Sequence, residues 1–321
     1  MIYQKEIPVF FTIDNSYAPF LAAALSSAIK NCSPQRQYKA IILHQELTKE
    51  NMEKLSLLAT GNFSIEFVEM KDGFEGITDR MSNRLRCDYF TLTIYFRLFI
   101  ATMFPQYDKA IYLDSDVVVP GDISRLYNQE LGDNIVGACH DFSIEDIPPL
   151  VYYVENAVGI PIKEYVNSGI LLMNLKRMRE LHFADTFHNL LNTFHFDSIA
   201  PDQDYLNAMC HGHILYLDEC WDTMPQRGDK APKTPSLIHY NLFDKPWCYD
   251  NIPYQDYFWR YARETEFCAE AEANLKGYTP EQAQRDKESM DTMAKKALSI
   301  PDQEVTFKKM VEKGENIRIC S

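Results

Sequence analysis

No run of apolar residues in this 321-residue chain approaches the ~18 that a bilayer-crossing helix needs. The amino terminus, Met1-Ile2-Tyr3-Gln4-Lys5-Glu6, lacks the apolar core of a signal peptide. The eight cysteines form no C-x-x-C pair and keep no regular spacing. A cytoplasmic protein with reduced thiols is the expectation. There is no basic surplus either, since the formal net charge is −14. Binding to a nucleic-acid backbone needs clustered Lys and Arg, so nucleic acid is not expected as a partner. Also missing are G-x-x-x-x-G-K-[ST], G-x-G-x-x-G, G-x-S-x-G and H-E-x-x-H. These absences set aside P-loop kinases, dinucleotide-binding dehydrogenases, hydrolases with the usual nucleophile elbow, and zincins.

What is present is an ordinary globular composition, 46% hydrophobic and 24% charged. Apolar runs and helix patterns alternate. Strands are expected at 7–13, 38–43, 63–68, 109–113, 135–140, 170–174 and 214–217. Helices are expected at 17–30, from the Thr48 cap to about 59, and at 94–103, 178–196 and 204–210. This order implies an α/β fold, a mostly parallel sheet with helices on both faces and ligands at the carboxyl ends of the strands. Asp14 and Asp114 both fall at such ends. After Trp247 the composition shifts. Residues 1–253 are expected to form the catalytic domain and 254–321 a small helical appendage, with Thr279-Pro280-Glu281-Gln282 as a helix start.

The run Ile111-Tyr112-Leu113-Asp114-Ser115-Asp116 takes an apolar strand straight into two carboxylates. Buried acids are costly unless paired or bound to a metal. Asp114 and Asp116 therefore read as oxygen ligands for a hard divalent cation. No further ligand and no turn glycine follow, which excludes an EF-hand. His239, in His239-Tyr240-Asn241-Leu242-Phe243-Asp244-Lys245-Pro246-Trp247, is a candidate third ligand, and Lys245 can neutralise a phosphate. Asp202 and Gln203, ahead of a helix, suit either capping or a grip on sugar hydroxyls. Asn167-Ser168-Gly169 reads as a turn or as an amide presented to ligand. Asp14 with Tyr17 reads as a helix cap, or as a base contact with Tyr17 stacking. His211-Gly212-His213 is a weak metal pair. A D-x-D strand end alone also fits a phosphatase of the haloacid dehalogenase type, or a nucleotide-sugar-binding protein without catalysis.

In their order along residues 7 to 250, these motifs resemble glycosyltransferase family 8, of the bacterial lipooligosaccharide galactosyltransferase and glucosyltransferase type. The resemblance implies a GT-A fold, a UDP-galactose or UDP-glucose donor, a glycan or glycolipid acceptor, Mn²⁺ or Mg²⁺, and transfer with retention. It implies Asp114, Asp116 and His239 as metal ligands and Asp14 and Tyr17 as uracil contacts. Thr12 and Ser115 also fall on the donor side, and Lys245 at the diphosphate. Arg97, Asn167, Asp202 and Gln203 fall at the donor sugar, with Gln203 nearest the anomeric carbon and Asp202 the other catalytic candidate. Asp141 falls on the acceptor side. One departure is Leu242, where many members carry glycine beside the diphosphate. Residues 269–321 hold nine Lys/Arg against ten Asp/Glu, so a strong electrostatic membrane anchor is not expected there. Peripheral association through Phe258, Trp259 and Tyr261 is the most that is expected.

Overall fold

The computed structural model describes residues 6–70 and 92–320. Among them lies a seven-stranded sheet. Its strands are β1 (Ile7–Ile13), β2 (Tyr38–His44), β3 (Phe63–Glu69), β4 (Ala110–Leu113), β6 (Val136–Ala138), β7 (Ile170–Met173) and β8 (Ile214–Tyr216), in the order β3-β2-β1-β4-β7-β6-β8. All neighbours pair parallel except β7, which runs antiparallel to β4 and to β6. Each expected strand is present with its ends trimmed or extended by a few residues.

Side chains alternate between the two faces. Phe10, Ile41, Tyr112 and Leu171 enter one buried cluster, while Val9, Phe11, Ile42, Ile111 and Leu172 enter another. Burial on both faces is why these strands read as continuous apolar runs rather than as alternating ones.

The reversal of β7 positions the site. Leu113 pairs with Ile170, so the turn that precedes β7 sits at the same sheet edge as the carboxyl ends of β1 and β4. Asp114 N–H extends this ladder to the Gly169 carbonyl at 2.7 Å. β6 points the same way as β4 and delivers Asp141 to that edge. A second sheet, β5 (Val117–Val118) with β9 (Ile238–His239), is antiparallel and pairs Val117 with His239.

Two expected helices differ in form. Residues 94–103 are mostly a 3₁₀ helix, Leu92–Phe99, with one α turn at Ile100–Met103. The pattern over 178–196 is two helices, Leu175–Glu180 and Phe183–Phe194, broken at His182 with φ 52°. Apolar spacing alone does not register a single left-handed residue.

The tail helices pack against the rest. Helix Gln255–Ala262 lies along helix Ala18–Asn31, in a cluster with Phe20, Tyr240 and Trp247, where the Phe20 and Trp247 rings stack at 4.0 Å. Phe258, Trp259 and Tyr261 are buried in that region and so give a membrane no apolar surface. Helix Pro280–Ser299 starts with the expected capping box between Thr279 and Gln282. Its Met293 and Ala297 pack beside helix Pro148–Tyr153. No described helix is long and apolar enough to cross a membrane.

Candidate active site

Every catalytic, donor-side, acceptor-side and metal candidate read from the sequence lines one crevice of about 220 Å³ at the carboxyl edge of the sheet. The exception is the weak pair His211 and His213. His211 instead bonds Glu164 at 2.9 Å, away from that crevice.

Asp114 divides its two oxygens. Oδ1 accepts from Arg97 at 2.8 Å and from the Tyr112 hydroxyl at 2.7 Å, and Oδ2 faces His239 Nε2 at 3.9 Å. Asp116 does the same, with Oδ1 at 3.3 Å from His239 Nε2 and Oδ2 taken by Lys245. Lys245 and His239 outweigh the burial of Asp116 and hold its carboxyl well below the usual range. The ligand atoms of Asp114, Asp116 and His239 all lie within 4.8 Å of one another. Opposed ligands on one Mg²⁺ are roughly 4.2 Å apart, so small side-chain rotations bring all three onto a single ion. Two carboxylates and an imidazole are a suitable set for a divalent cation.

Burial alone would lower the pKa of His239. Asp116 and Asp222 overcome it and push the imidazole up to about 10. Asp222, which no sequence motif signals, bonds His239 Nδ1 at 3.0 Å from a fully buried position. Burial raises the Asp222 carboxyl to about 6, with His239 pulling the other way. Gly169 was legible only as part of a turn. A Cβ there would lie 2.8 Å from Asp114 Oδ2 and 3.0 Å from Asn167 Oδ1, and would collide with the His239 ring.

Arg97 ties the Asp114 side of the crevice to the Asp202 side. It is buried, sits 4.4 Å over the Tyr112 ring and donates to the Ser168 carbonyl at 2.6 Å. It also pairs with Asp202 at 3.2 Å. Burial disfavours its charge, but Asp114, Tyr112 and Asp202 more than restore it. Asp202 Oδ2 also accepts from Ser168 Oγ at 3.0 Å. Burial raises its pKa, and Arg97 opposes the rise.

The Gln203 amide is oriented by chemistry. Its oxygen accepts from Ser168 N–H at 3.0 Å, and its nitrogen donates to Asp141 Oδ2 at 2.8 Å. A backbone N–H can only donate, which fixes which end is oxygen. Asn167 joins in by donating to Asp141 Oδ2 at 3.2 Å and accepting from Gly169 N–H at 2.8 Å.

The next residue along the same helix, Asp204, is fully buried and accepts from Tyr153 at 2.7 Å and Tyr165 at 2.6 Å. These bonds anchor the helix start that carries Asp202 and Gln203.

At the opposite wall, Asp14 Oδ1 accepts from Ser16 N–H at 2.9 Å and Tyr17 N–H at 3.2 Å. The cap reading of Asp14 therefore holds, and both residues also line the crevice. Thr12 Oγ1 bonds the Tyr112 hydroxyl at 2.8 Å, and Ser115 Oγ donates to the Thr12 carbonyl at 3.0 Å. Leu242 adopts φ 56°, the left-handed region that glycine favours. Asn241 Oδ1 supports it by accepting from Leu242 N–H at 2.7 Å.

The model of the family described as glycosyl transferase family 8 matches residues 8–251. A "Putative glycosyltransferase" of Haemophilus influenzae is 27% identical over 230 residues, covering 71% of this chain and 67% of that protein. A "Lipopolysaccharide 1,2-glucosyltransferase" of Escherichia coli is 26% identical over 280 residues, covering 79% of this chain and 77% of that protein. Among solved structures, the galactosyltransferase LgtC in complex with donor and acceptor sugar analogues superposes with a TM-score of 0.68. It is 24% identical, covering 81% of this chain and 96% of that one. At that identity the likeness speaks for the fold.

Fold and site together define a glycosyltransferase of the GT-A type. The chain belongs to glycosyl transferase family 8. Membership sets aside the phosphatase alternative.

Proposed function

We propose that this protein is a retaining hexosyltransferase. It moves galactose or glucose from a UDP-sugar to a hydroxyl of a glycan or lipooligosaccharide-type acceptor. The observation that carries this reading is the convergence of Asp114, Asp116, His239 and Lys245 at one side of a crevice whose other side holds Asp202, Gln203 and Asp141.

Asp114, Asp116 and His239 would hold Mn²⁺, or Mg²⁺, which supplies Lewis-acid stabilisation to the charge on a departing diphosphate. Lys245 adds a second positive charge beside that position. Asp14 and Tyr17 bracket the uracil, and Thr12 and Ser115 shape the adjoining wall. Arg97 and Asn167 orient the donor sugar, Gln203 faces its anomeric carbon, and Asp141 receives the acceptor hydroxyl.

Retention requires either a protein nucleophile or attack from the face the leaving group departs. Gln203 is a neutral amide with both ends engaged. Asp202 is tied to Arg97 and Ser168. Both facts favour front-face attack, with the departing phosphate oxygen taking the acceptor proton. The match to a lipopolysaccharide glucosyltransferase supports a glycolipid acceptor.

A radiolabelled panel of UDP-sugars, with Mn²⁺ and with EDTA, tests the proposal. The expected result is metal-dependent release of UDP from one hexose donor, with an α-linked product by NMR. Release of inorganic phosphate alone, or a β-linked product, overturns it.

A further inference from the structure

We propose that Asp222 is a positioning residue for the metal site, holding His239 by its Nδ1 so that Nε2 stays aimed at Asp114 and Asp116. The inference rests on the metal-site reading above. It begins with an apparent waste of stability. Asp222 is fully buried, yet its Oδ2 has no hydrogen-bond partner among the described residues. A buried carboxylate with an unmet oxygen is costly, and an apolar residue of similar shape costs less. What Asp222 does have is His239 Nδ1 at 3.0 Å.

An imidazole that donates from Nδ1 leaves the Nε2 lone pair for a cation, and the partner carboxylate makes that lone pair more basic. The backbone keeps the pair in register. Thr223 N–H donates to the Leu237 carbonyl at 3.0 Å, and His239 N–H donates to the Thr223 carbonyl at 2.9 Å. On the other side, the ring fills the space that a Cβ at Gly169 would take. His239 is thus clamped between a carboxylate and a bare backbone, with a single nitrogen pointing into the crevice.

The test is Mn²⁺ binding itself, followed by the EPR signal of free Mn²⁺ with no nucleotide sugar present. Asp222→Ala is expected to weaken Mn²⁺ binding about 10- to 100-fold. Asp222→Asn keeps the accepting oxygen but loses the charge, and is expected to fall between Asp222→Ala and the wild type. In the Mg²⁺-bound wild type, ¹⁵N shifts should place the His239 proton on Nδ1. Mn²⁺ affinity within about twofold of wild type in Asp222→Ala overturns the proposal, as does the same result in Asp222→Asn should the alanine variant not fold. A proton on Nε2 in the wild type also overturns it. None of these measurements depends on whether a UDP-hexose is turned over.

Discussion

Lys245 donates to Asp116 Oδ2 while the other oxygen of that carboxylate lies 3.3 Å from His239 Nε2. Under the proposed function, Lys245 and a divalent cation would therefore draw on the same acid. Replacing Lys245 with Ala removes a competitor for Asp116 and a partner for phosphate. The expected outcome is tighter binding of Mn²⁺ alone. UDP affinity in the presence of Mn²⁺ should fall about 10- to 100-fold, the worth of one charge-assisted hydrogen bond. Calorimetric titration of each ligand separates the two effects.

Gln203→Ala leaves the metal side intact and removes the amide that bridges Ser168 and Asp141. Transfer is expected to slow by about 100-fold or more, as when a single preorganised polar group is lost. UDP binding should stay within about threefold of wild type, less than one hydrogen bond is worth. Full turnover in this variant would remove Gln203 from the reaction.

His239 gives the metal-free protein a pH dependence. Its folded-state pKa of about 10 lies above the ordinary 6.5. The stability from its proton is complete below pH 6.5 and is lost as pH rises through 10. The melting temperature of the metal-free protein is expected to fall between pH 7 and about 10. A bound cation takes the place of that proton, so Mn²⁺ affinity should rise by up to about tenfold per pH unit over the same range. Thermal scans with and without Mn²⁺ across pH check both trends.

Leu242 pays for its φ of 56° with about 1 kcal/mol of backbone strain. Leu242→Gly should recover most of that and lose only half-buried side-chain area. Leu242→Val puts a branched Cβ into the same backbone and should be less stable than Leu242→Gly by about 1–2 kcal/mol. Urea denaturation of the two variants measures the difference. Equal stability would mean the loop relaxes out of this conformation.

Much of the fold and site was legible because the signals were local. Most of the seven strands are apolar runs, β3 alternates along Phe63–Glu69, and Thr279 with Gln282 is a cap written in four residues. The paired acids Asp114 and Asp116 announced themselves because they end an apolar strand. Other features left no local trace. Asp222 stands between Trp221 and Thr223 with no motif, and its meaning comes only from His239. The break at His182 is one dihedral angle inside an otherwise helical pattern. Phe258, Trp259 and Tyr261 look like surface aromatics until the tail helix is seen packed on helix Ala18–Asn31.

By itself the sequence determined which chemical groups the protein has and in what order they arrive: two acids at a strand end, an amide beside an acid at a helix start, and a late histidine and lysine. Hydrophobic period and turn chemistry act over a few residues, and such patterns survive in a linear reading. Only the tertiary structure decided that these groups meet. The antiparallel course of β7 brings Asn167 to Gly169 beside Asp114. The short β5–β9 pair sets His239 opposite Val117, next to Asp116. Those contacts rest on backbone hydrogen bonds between distant segments. No single segment encodes them, because register depends on which face of each strand is buried, and burial arises only once the segments pack together.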